Sequence, residues 1–315
     1  MNNEPTLADI RAASRRIGRR IHRTPVLTSA TLDRMCGAHL FFKCENFQKV
    51  GAFKIRGATN AVFSLTDAEA MHGVATHSSG NHAAAVALAA RWRGVQAYVV
   101  MPENAPPVKR VAVEEYGATV FTCAPDLKAR EQELAAVVAK TDAAVIHPYN
   151  DYRVIAGQGT CALELCEDTP ELDVVLAPVG GGGLISGTAL AVTELLPRAR
   201  VIGVEPERAD DAQRSLAAGH ILPVEHPDTI ADGLRTSLGD RTFPIMQRLV
   251  SQIVTVSEEA IVLAMRLLWE RMKIVVEPSG AVPLAALLSH RINLSGQHAG
   301  IILSGGNVDL AHLPW

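Results

Sequence analysis

The chain has 315 residues, 48% of them hydrophobic, and a mean hydropathy of +0.14, so it can bury a large core. Its 30 basic and 33 acidic side chains give a net charge of -3, which argues against nucleic acid or an anionic membrane as a partner. The length indicates about two domains, and the expected partner is a small molecule.

The N-terminal segment, residues 1–25, predicts a helix and not a targeting signal. Its apolar residues recur on one helical face, at Leu7, Ile10, Ile17 and Ile21. The arginines between them are expected on the solvated face. The segment lacks a signal-peptide core, and no apolar run is long enough to span a bilayer. Five cysteines without metal-binding spacing are typical of a reducing compartment, so the expected location is the cytoplasm.

From residue 73 to residue 205, short β-branched runs alternate with amphipathic stretches. This alternation predicts the α/β class, with parallel sheets covered by helices on both faces. The number of strands favours two sheets over one. Ser257, followed by two glutamates, is predicted to cap a helix. The predicted strands are residues 73–77, 95–101, 118–122, 143–147, 173–179, 200–205, 253–257 and 300–304.

One lysine near the N-terminus has apolar neighbours on both sides. In FFKCENFQKVGAFKIRGA, Lys54 lies between Phe53 and Ile55, and Gly51 and Gly57 bracket the segment. Apolar surroundings remove water from the ammonium group, which lowers the pKa of the amine and makes it available to attack an aldehyde. The alternative is a surface lysine with a snorkelling stem, and the segment by itself does not separate the two.

A polar motif, THSSGNH, follows the predicted strand at residues 73–77. It places Ser78, Ser79 and Asn81 just before an Ala-rich helix. Small hydroxyls and exposed N–H groups at a helix N-terminus suit a carboxylate, although an ordinary helix cap is the alternative. His77 and His82 do not predict a metal site, because no third ligand is spaced with them.

Four consecutive glycines, Gly180–Gly183, join a predicted strand to a predicted helix. Without Cβ atoms the backbone can approach a phosphate closely, and the helix start supplies N–H donors and a positive dipole. A flexible turn is the alternative. A dinucleotide site is not supported, although Glu205 lies about 20 residues on, where a ribose-binding acid would be. Ile185 and Ser186 stand where the third glycine of G-x-G-x-x-G belongs.

The last predicted strand ends in GIILSGGNVDL, where Ser304 precedes Gly305 and Gly306. In α/β proteins, ligands gather at the carboxyl ends of strands, where this hydroxyl would lie. Considered alone, the motif is more safely interpreted as a turn than as a binding site.

Together these motifs resemble pyridoxal-5'-phosphate (PLP) enzymes of the tryptophan-synthase-β fold type, fold type II, and within it the serine racemase and serine/threonine (hydroxyaspartate) dehydratase family. AFKIRGA, THSSGNH, PVGGGG, IADG, WERMK, VEPSGA and LSGGNVDL occur in the family's order and cover nearly the whole chain. The resemblance implies two parallel-sheet-based α/β domains with the cofactor in the cleft between them. It also implies a discontinuous large domain, residues 1–66 and 152–315, a small domain, residues 67–151, and no C-terminal regulatory domain.

The resemblance also implies the cofactor contacts. Lys54 would be the Schiff-base residue, and Phe53 would flank the pyridine ring. Asn81 would bond the cofactor's 3'-oxygen, and Ser304 would meet the pyridine nitrogen. Because a neutral hydroxyl does not stabilise a protonated ring, Ser304 favours prompt β-elimination over a long-lived carbanion. The residues expected to hold the phosphate are Gly180, Gly181, Gly182, Gly183 and Leu184.

For the substrate, the resemblance implies a carboxylate site and two proton carriers. The expected carboxylate ligands are Ser78, Asn81 and His82. Lys54 would act as the base on one face of the substrate and Ser79 on the other. Arg130 aligns with a family arginine near the substrate and could bind a second carboxylate through a bidentate fork. If Arg130 points inward, 3-hydroxyaspartate becomes a better candidate than threonine; an exposed helical arginine is the alternative.

The segment GVEPERADD resembles the family's divalent-cation loop. The implied ligands are the side chains of Glu205 and Asp211 and the backbone carbonyl of Ala209. Oxygen ligands imply Mg²⁺ or Ca²⁺. An acidic helix start is the alternative. The family also implies a homodimer.

The function that the resemblance implies is a PLP-dependent ammonia-lyase that dehydrates serine, threonine or 3-hydroxyaspartate to a 2-oxo acid and ammonia. A serine or aspartate racemase with elimination as a side activity would use the same residues, so the sequence leaves both open. A non-catalytic or nucleotide-binding protein on the same scaffold is the alternative from another class, and it predicts no cofactor absorption.

Overall fold

The computed structural model describes residues 3–78, 80–105, 107–225 and 227–315. The helices are α1 (Leu7–Ile17), α2 (Ala30–Cys36), α3 (Lys54–Ser64), α4 (Asp67–Ala70), α5 (Asn81–Arg93), α6 (Pro107–Glu115), α7 (Leu127–Thr141), α8 (Tyr152–Asp168), α9 (Gly183–Leu195), α10 (Asp211–Ala218), α11 (Thr242–Leu249), α12 (Glu258–Leu267) and α13 (Pro278–Leu288). The strands are β1 (Val26–Leu27), β2 (His39–Cys44), β3 (Val74–His77), β4 (Ala97–Pro102), β5 (Thr119–Cys123), β6 (Ala144–Val145), β7 (Val174–Pro178), β8 (Arg200–Pro206), β9 (Gln252–Val256) and β10 (His298–Leu303).

The larger sheet has six strands in the order β1-β2-β10-β7-β8-β9. β1 is antiparallel to β2, and the other neighbours are parallel. β2 and β10 pair in register from His39 opposite His298 to Cys44 opposite Leu303. Because these two strands end together, the chain leaving β2 toward Lys54 lies beside the chain leaving β10 at Ser304.

The smaller sheet has four strands in the order β5-β4-β3-β6, and all of its pairs are parallel. Two sheets of mainly parallel strands with intervening helices confirm the predicted α/β class. All strands of the smaller sheet lie within residues 67–151 and those of the larger sheet lie outside that range. The domain boundaries themselves stay a prediction.

Both faces of the larger sheet are buried. Val174 and Leu176 of β7 belong to a core cluster that includes residues of α12 and α13, whereas Val175 and Ala177 belong to a cluster with residues of α8 and α9. Successive side chains of a strand point to opposite faces, so apolar residues throughout β7 require helices on both sides. The carboxyl ends of these strands remain as the place where polar motifs can meet.

Local predictions were largely confirmed, with three differences. α1 buries Ile10 and Ile17, but its basic face is only partly solvated, because Arg16 donates to Asn60 Oδ1 at 2.5 Å. The strand predicted at residues 143–147 is reduced to β6, and the first two strands, β1 and β2, were not predicted. Ser257 caps α12, since its hydroxyl accepts from the Ala260 N–H at 3.3 Å. Within the described ranges, no helix combines the length and apolar character needed to cross a membrane.

Candidate functional site

Lys54 begins α3, and its amine reaches a backbone carbonyl far away in the chain. Lys54 Nζ donates to the oxygen of Pro148 at 2.8 Å and lies 5.2 Å from the centroid of the Phe53 ring. Burial lowers the pKa of Lys54 from 10.5 to about 8, against the opposing effect of the Glu277 charge. The environment is the one that the apolar neighbours in the sequence predict.

The segment that carries Lys54 is tied to the segment that carries Ser304. The Phe53 N–H donates to the Ser304 carbonyl at 3.0 Å, and the Gly306 N–H donates to the Gly51 carbonyl at 2.9 Å. The Ser304 residue is 3% exposed, and its hydroxyl makes no hydrogen bond to another described residue. The structure therefore brings a hydroxyl that can bond a ligand beside the Phe53–Lys54 backbone.

Asn81, the first residue of α5, has a fixed side-chain amide. Its Nδ2 donates to Glu277 Oε1 at 2.9 Å, and its Oδ1 accepts from Asn307 Nδ2 at 2.9 Å. An amide nitrogen has two protons, so one N–H of Asn81 remains for a ligand. Glu277 and Asn307 were not identified from sequence as site residues, although they lie in the VEPSGA and LSGGNVDL motifs.

Glu277 is buried, and its carboxylate accepts hydrogen bonds from Asn81 and Asn307. Its second oxygen accepts from the Asn307 backbone N–H at 3.1 Å. Burial raises the pKa of Glu277 to about 8, and the nearby Asp232 adds to the increase. The charge of Lys109, which forms an ion pair with Asp232, lowers the pKa of Glu277 and opposes this increase. Glu277 therefore links the Asn81 side chain to the segment after β10.

The glycine loop lies between β7 and α9, as the sequence predicts. Gly182 has φ +87°, in the left-handed region that favours glycine, and Gly183 starts the helix. Among the described residues, the N–H groups of Gly180–Leu184 have no hydrogen-bond acceptor. Buried N–H groups without partners are costly, and at a helix N-terminus they suit a phosphate.

Tyr149 forms the wall against which this loop packs, and no sequence signal indicated it. A Cβ atom on Gly181 would come within 2.3 Å of Cγ of the Tyr149 ring. The ring also makes an edge contact with His147, at 4.7 Å between centroids, and the His147 Nδ1 accepts from the Asn150 N–H at 2.9 Å. Burial raises the pKa of Tyr149 to about 12. Gly181 is thus required by the neighbouring ring as well as by any ligand.

Replacing Gly181 with alanine is expected to lower the thermal unfolding midpoint, because either the Tyr149 ring or the loop must move at a cost of about 1–3 kcal/mol. Differential scanning calorimetry of the purified protein would measure it. In a protein that already carries Tyr149→Ala, the substitution Gly181→Ala should lower the unfolding midpoint less than it does in wild type. If the loss in the double variant equals the sum of the losses in the two single variants, this explanation is contradicted.

The carboxylate motif is only partly visible. Ser79 lies outside the described residues. The Ser78 hydroxyl accepts from the Gly80 N–H at 3.3 Å. His82 is 2% exposed, its Nε2 lies 3.1 Å from the Ile146 carbonyl, and burial lowers its pKa well below the usual range. Its neutral ring then presents a lone pair at Nδ1, so a carboxylate would meet the backbone N–H of His82 and not its ring.

Arg130 lies in α7 and is half-buried, which disfavours the exposed-arginine alternative. Its Nε is buried and has no hydrogen-bond partner in the described parts of the chain. Burial, together with the Arg130 charge, lowers the pKa of His77 to about 4. A buried guanidinium nitrogen without a partner is costly unless a ligand supplies the acceptor.

The residues predicted to bind a cation are buried together. Glu205, Ala209 and Asp211 are each 1% exposed. The Glu205 carboxylate accepts from the backbone N–H groups of Ala212 at 3.2 Å and Gln213 at 2.7 Å, so it also caps α10 as the alternative interpretation predicts. Across the described ranges, no group of three or more His, Cys, Asp or Glu side chains is arranged to hold a metal ion.

Comparison with known proteins gave consistent matches. Residues 17–305 match the family model "Pyridoxal-phosphate dependent enzyme". The chain is 53% identical to a beta-hydroxyaspartate dehydratase of Paracoccus denitrificans over 99% of both chains. It is 50% identical to a serine racemase of Oryza sativa subsp. indica, covering 96% of this chain and 91% of the relative. The structure of maize serine racemase superimposes with a TM-score of 0.96 at 48% identity, covering 98% of this chain and 95% of the other.

Proposed function

Because the chain belongs to the pyridoxal-phosphate dependent enzyme family, we propose that it is an ammonia-lyase that removes water from a β-hydroxy amino acid and yields a 2-oxo acid and ammonia. The observation that carries the proposal is that three sets of donors without partners among the described residues lie in segments tied to the chain around Lys54. Ser304 is tied to it through Phe53, Asn81 through Asn307, and the glycine loop through Tyr149, which follows Pro148. These donors are the N–H groups of the glycine loop, one N–H of Asn81 and the hydroxyl of Ser304.

These donors fit PLP group by group. The loop N–H groups, Gly180–Leu184, would hold the phosphate, and the remaining Asn81 N–H would bond the 3'-oxygen. Ser304 would bond the ring nitrogen, Phe53 would flank the ring, and Lys54 would attach to the aldehyde. When bound, PLP supplies an electron sink for a carbanion at the substrate Cα. Ser304 carries no charge, which supports elimination without a long-lived carbanion.

Lys54 is the proposed proton carrier on one face of the substrate. Once the substrate amine has displaced it, the Lys54 amine can accept the α-proton only in its neutral form. The contact with Pro148 holds the amine in place through a backbone carbonyl, which is neutral and cannot take the proton. Ser79, proposed for the opposite face, lies outside the described residues, and its role stays a prediction.

The turnover number kcat is expected to rise with pH through about 8. The pKa of Lys54 is lowered from 10.5 to about 8. Half of the amine is therefore neutral near that pH, and the neutral fraction levels off at higher pH. A lysine without the shift would give a rise near pH 10. The pH profile of kcat, measured with substrate at saturation, separates the two outcomes.

For the substrate, we propose 3-hydroxyaspartate ahead of serine and threonine. The half-buried Arg130, whose Nε lacks a hydrogen-bond partner within the described residues, would bind the second carboxylate. Ser78, Asn81 and the backbone of His82 would bind the α-carboxylate at the start of α5. The relative named beta-hydroxyaspartate dehydratase, at 53% identity, supports the same substrate.

Racemisation of serine or aspartate is the second candidate function, supported by the 50% identity to a serine racemase. Time courses with serine, threonine and 3-hydroxyaspartate, followed by 2-oxo acid detection and chiral chromatography, test both. Rapid 2-oxo acid formation from 3-hydroxyaspartate is the expected result. Appearance of the opposite enantiomer of serine or aspartate, with no 2-oxo acid from any of the three, would replace the first proposal by the second.

Three further proposals concern a bound cation, the oligomeric state and the cellular location. A Mg²⁺ or Ca²⁺ ion bound by Glu205, Asp211 and the Ala209 carbonyl is supported by the common burial of these residues. A homodimer and a cytoplasmic location remain predictions from the family resemblance and the cysteine pattern.

A further inference from the structure

Four charged side chains are buried behind α3, on residues that the proposed chemistry does not use. This buried ionic quartet consists of Lys43, Glu45, Arg56 and Glu164; the first three are 0% exposed and Glu164 is 7% exposed. Lys43 and Glu45 lie in and just after β2, Arg56 lies in the first turn of α3, and Glu164 lies in α8. The two positive and two negative charges leave the quartet neutral.

Arg56 is the centre of the quartet. Its Nε and Nη2 donate to the two oxygens of Glu45 at 2.7 and 2.8 Å. Its Nη1 and Nη2 donate to the two oxygens of Glu164, both at 2.8 Å, and Nη1 also reaches Thr160 Oγ1 at 3.1 Å. All five N–H groups of the guanidinium are therefore used, four in two bidentate contacts with different elements and one on the Thr160 hydroxyl.

Lys43 completes the quartet through hydrogen-bond partners outside α3. Its Nζ donates to Glu164 Oε2 and to the Thr24 carbonyl, both at 2.7 Å. Burying four charges is expensive, and apolar residues of similar volume often stabilise a core as well or better. Stability alone therefore does not account for the quartet. The two bidentate contacts of Arg56 also fix the relative orientation of the elements that they join, which apolar contacts would leave free.

The two bidentate contacts of Arg56 fix the position of α3 relative to α8. The two helices cross at glycines, since a Cβ atom on Gly157 would come within 2.6 Å of the Gly57 Cα. Close to this crossing, the Gly57 N–H donates to Gln158 Oε1 at 3.0 Å. Lys54 starts α3, and its hydrogen-bond partner Pro148 lies just before α8. Any shift of α3 along α8 would therefore move the Lys54 amine away from the Pro148 carbonyl.

We propose that Arg56 is a positioning residue for Lys54: by clamping the first turn of α3 to the Glu45 turn and to α8, it sets where the Lys54 amine lies. The inference rests on the proposed function, in which Lys54 carries PLP. It assigns no contact between Arg56 and cofactor or substrate, because the guanidinium points into the buried quartet.

The test compares two single variants of the holoenzyme that each remove one buried positive charge. Arg56→Met removes both forks and leaves the Lys43–Glu164 pair. Lys43→Met removes as many positive charges but leaves both forks of Arg56, to Glu45 and to Glu164. Circular dichroism and thermal unfolding would establish that both are folded at the assay temperature.

Arg56→Met is expected to reduce kcat by at least about tenfold with a much smaller change in KM, because a misplaced catalytic group loses rate more than binding. Borohydride trapping followed by peptide mass spectrometry should show less PLP attached to Lys54. The Lys43→Met control should stay within about twofold of wild type in both measurements, even if its unfolding midpoint falls.

Equal losses in the two variants, or no loss in either, would overturn the proposal. If Arg56→Met does not fold, Arg56→Lys carries the test, since a lysine keeps the charge but cannot form two forks. Its kcat should then fall while the protein stays folded, and an unchanged kcat with full trapping would count against the proposal. Failure of the proposed function is distinguishable, because wild type itself would then trap no PLP on Lys54.

Discussion

Lys54→Ala is expected to lose both the visible absorption of bound PLP and nearly all activity, with kcat reduced by about 10²- to 10⁴-fold or more. The substitution removes the amine that attaches the cofactor and the base that accepts the α-proton. No other lysine among the described residues contacts the Pro148 carbonyl, so a substitute amine at this place is not available. Absorption spectroscopy and a coupled ammonia assay would measure the two losses.

The matched control is Lys140→Ala, which removes an exposed lysine from the end of α7. Its spectrum and kcat should equal those of wild type. Retention of the absorption band and of more than about a tenth of the activity in Lys54→Ala would show that another group carries the cofactor. A wild-type protein without visible absorption after incubation with PLP would instead favour the non-catalytic alternative.

Arg130→Ala is expected to reduce kcat/KM for 3-hydroxyaspartate by about 100-fold while changing that for serine by much less. A dicarboxylate would bring its second carboxylate to the guanidinium, whereas serine has no group to leave unpaired there. Arg130→Lys should recover only part of the loss, because an ammonium group cannot form a bidentate contact. Steady-state kinetics with both substrates would measure the change in preference.

Lys128→Ala serves as the control, because it removes an exposed positive charge from the same helix. It should leave the ratio of the two kcat/KM values unchanged, which separates a specific contact from general electrostatic attraction. If Arg130→Ala lowers kcat/KM equally for serine and 3-hydroxyaspartate, Arg130 acts on a feature that both share. The proposal of 3-hydroxyaspartate as the preferred substrate would then lose its structural support.

The α/β class, the two sheets and most strands were predictable, because alternation of β-branched and amphipathic runs is a local property of the sequence. The polar motifs were also predictable, because each one is a short continuous stretch of the sequence. The motif of Gly180–Gly183 joins β7 to α9, and Ser304 directly follows β10. β2 was missed because a charged residue, Lys43, stands in its buried half, and its partner Glu164 lies 121 residues away.

What the sequence by itself determined is thus the set of strand ends and the chemical groups placed on them. Only the tertiary structure decided which groups meet: the Lys54 amine bonds a carbonyl 94 residues away, and Asn81 bonds Glu277 across 196 residues. The burial of Arg56 and the partial burial of Arg130 were decided in the same way. The physical reason is that desolvation of a charge depends on what surrounds it after folding, and those neighbours come from distant segments that no local pattern records.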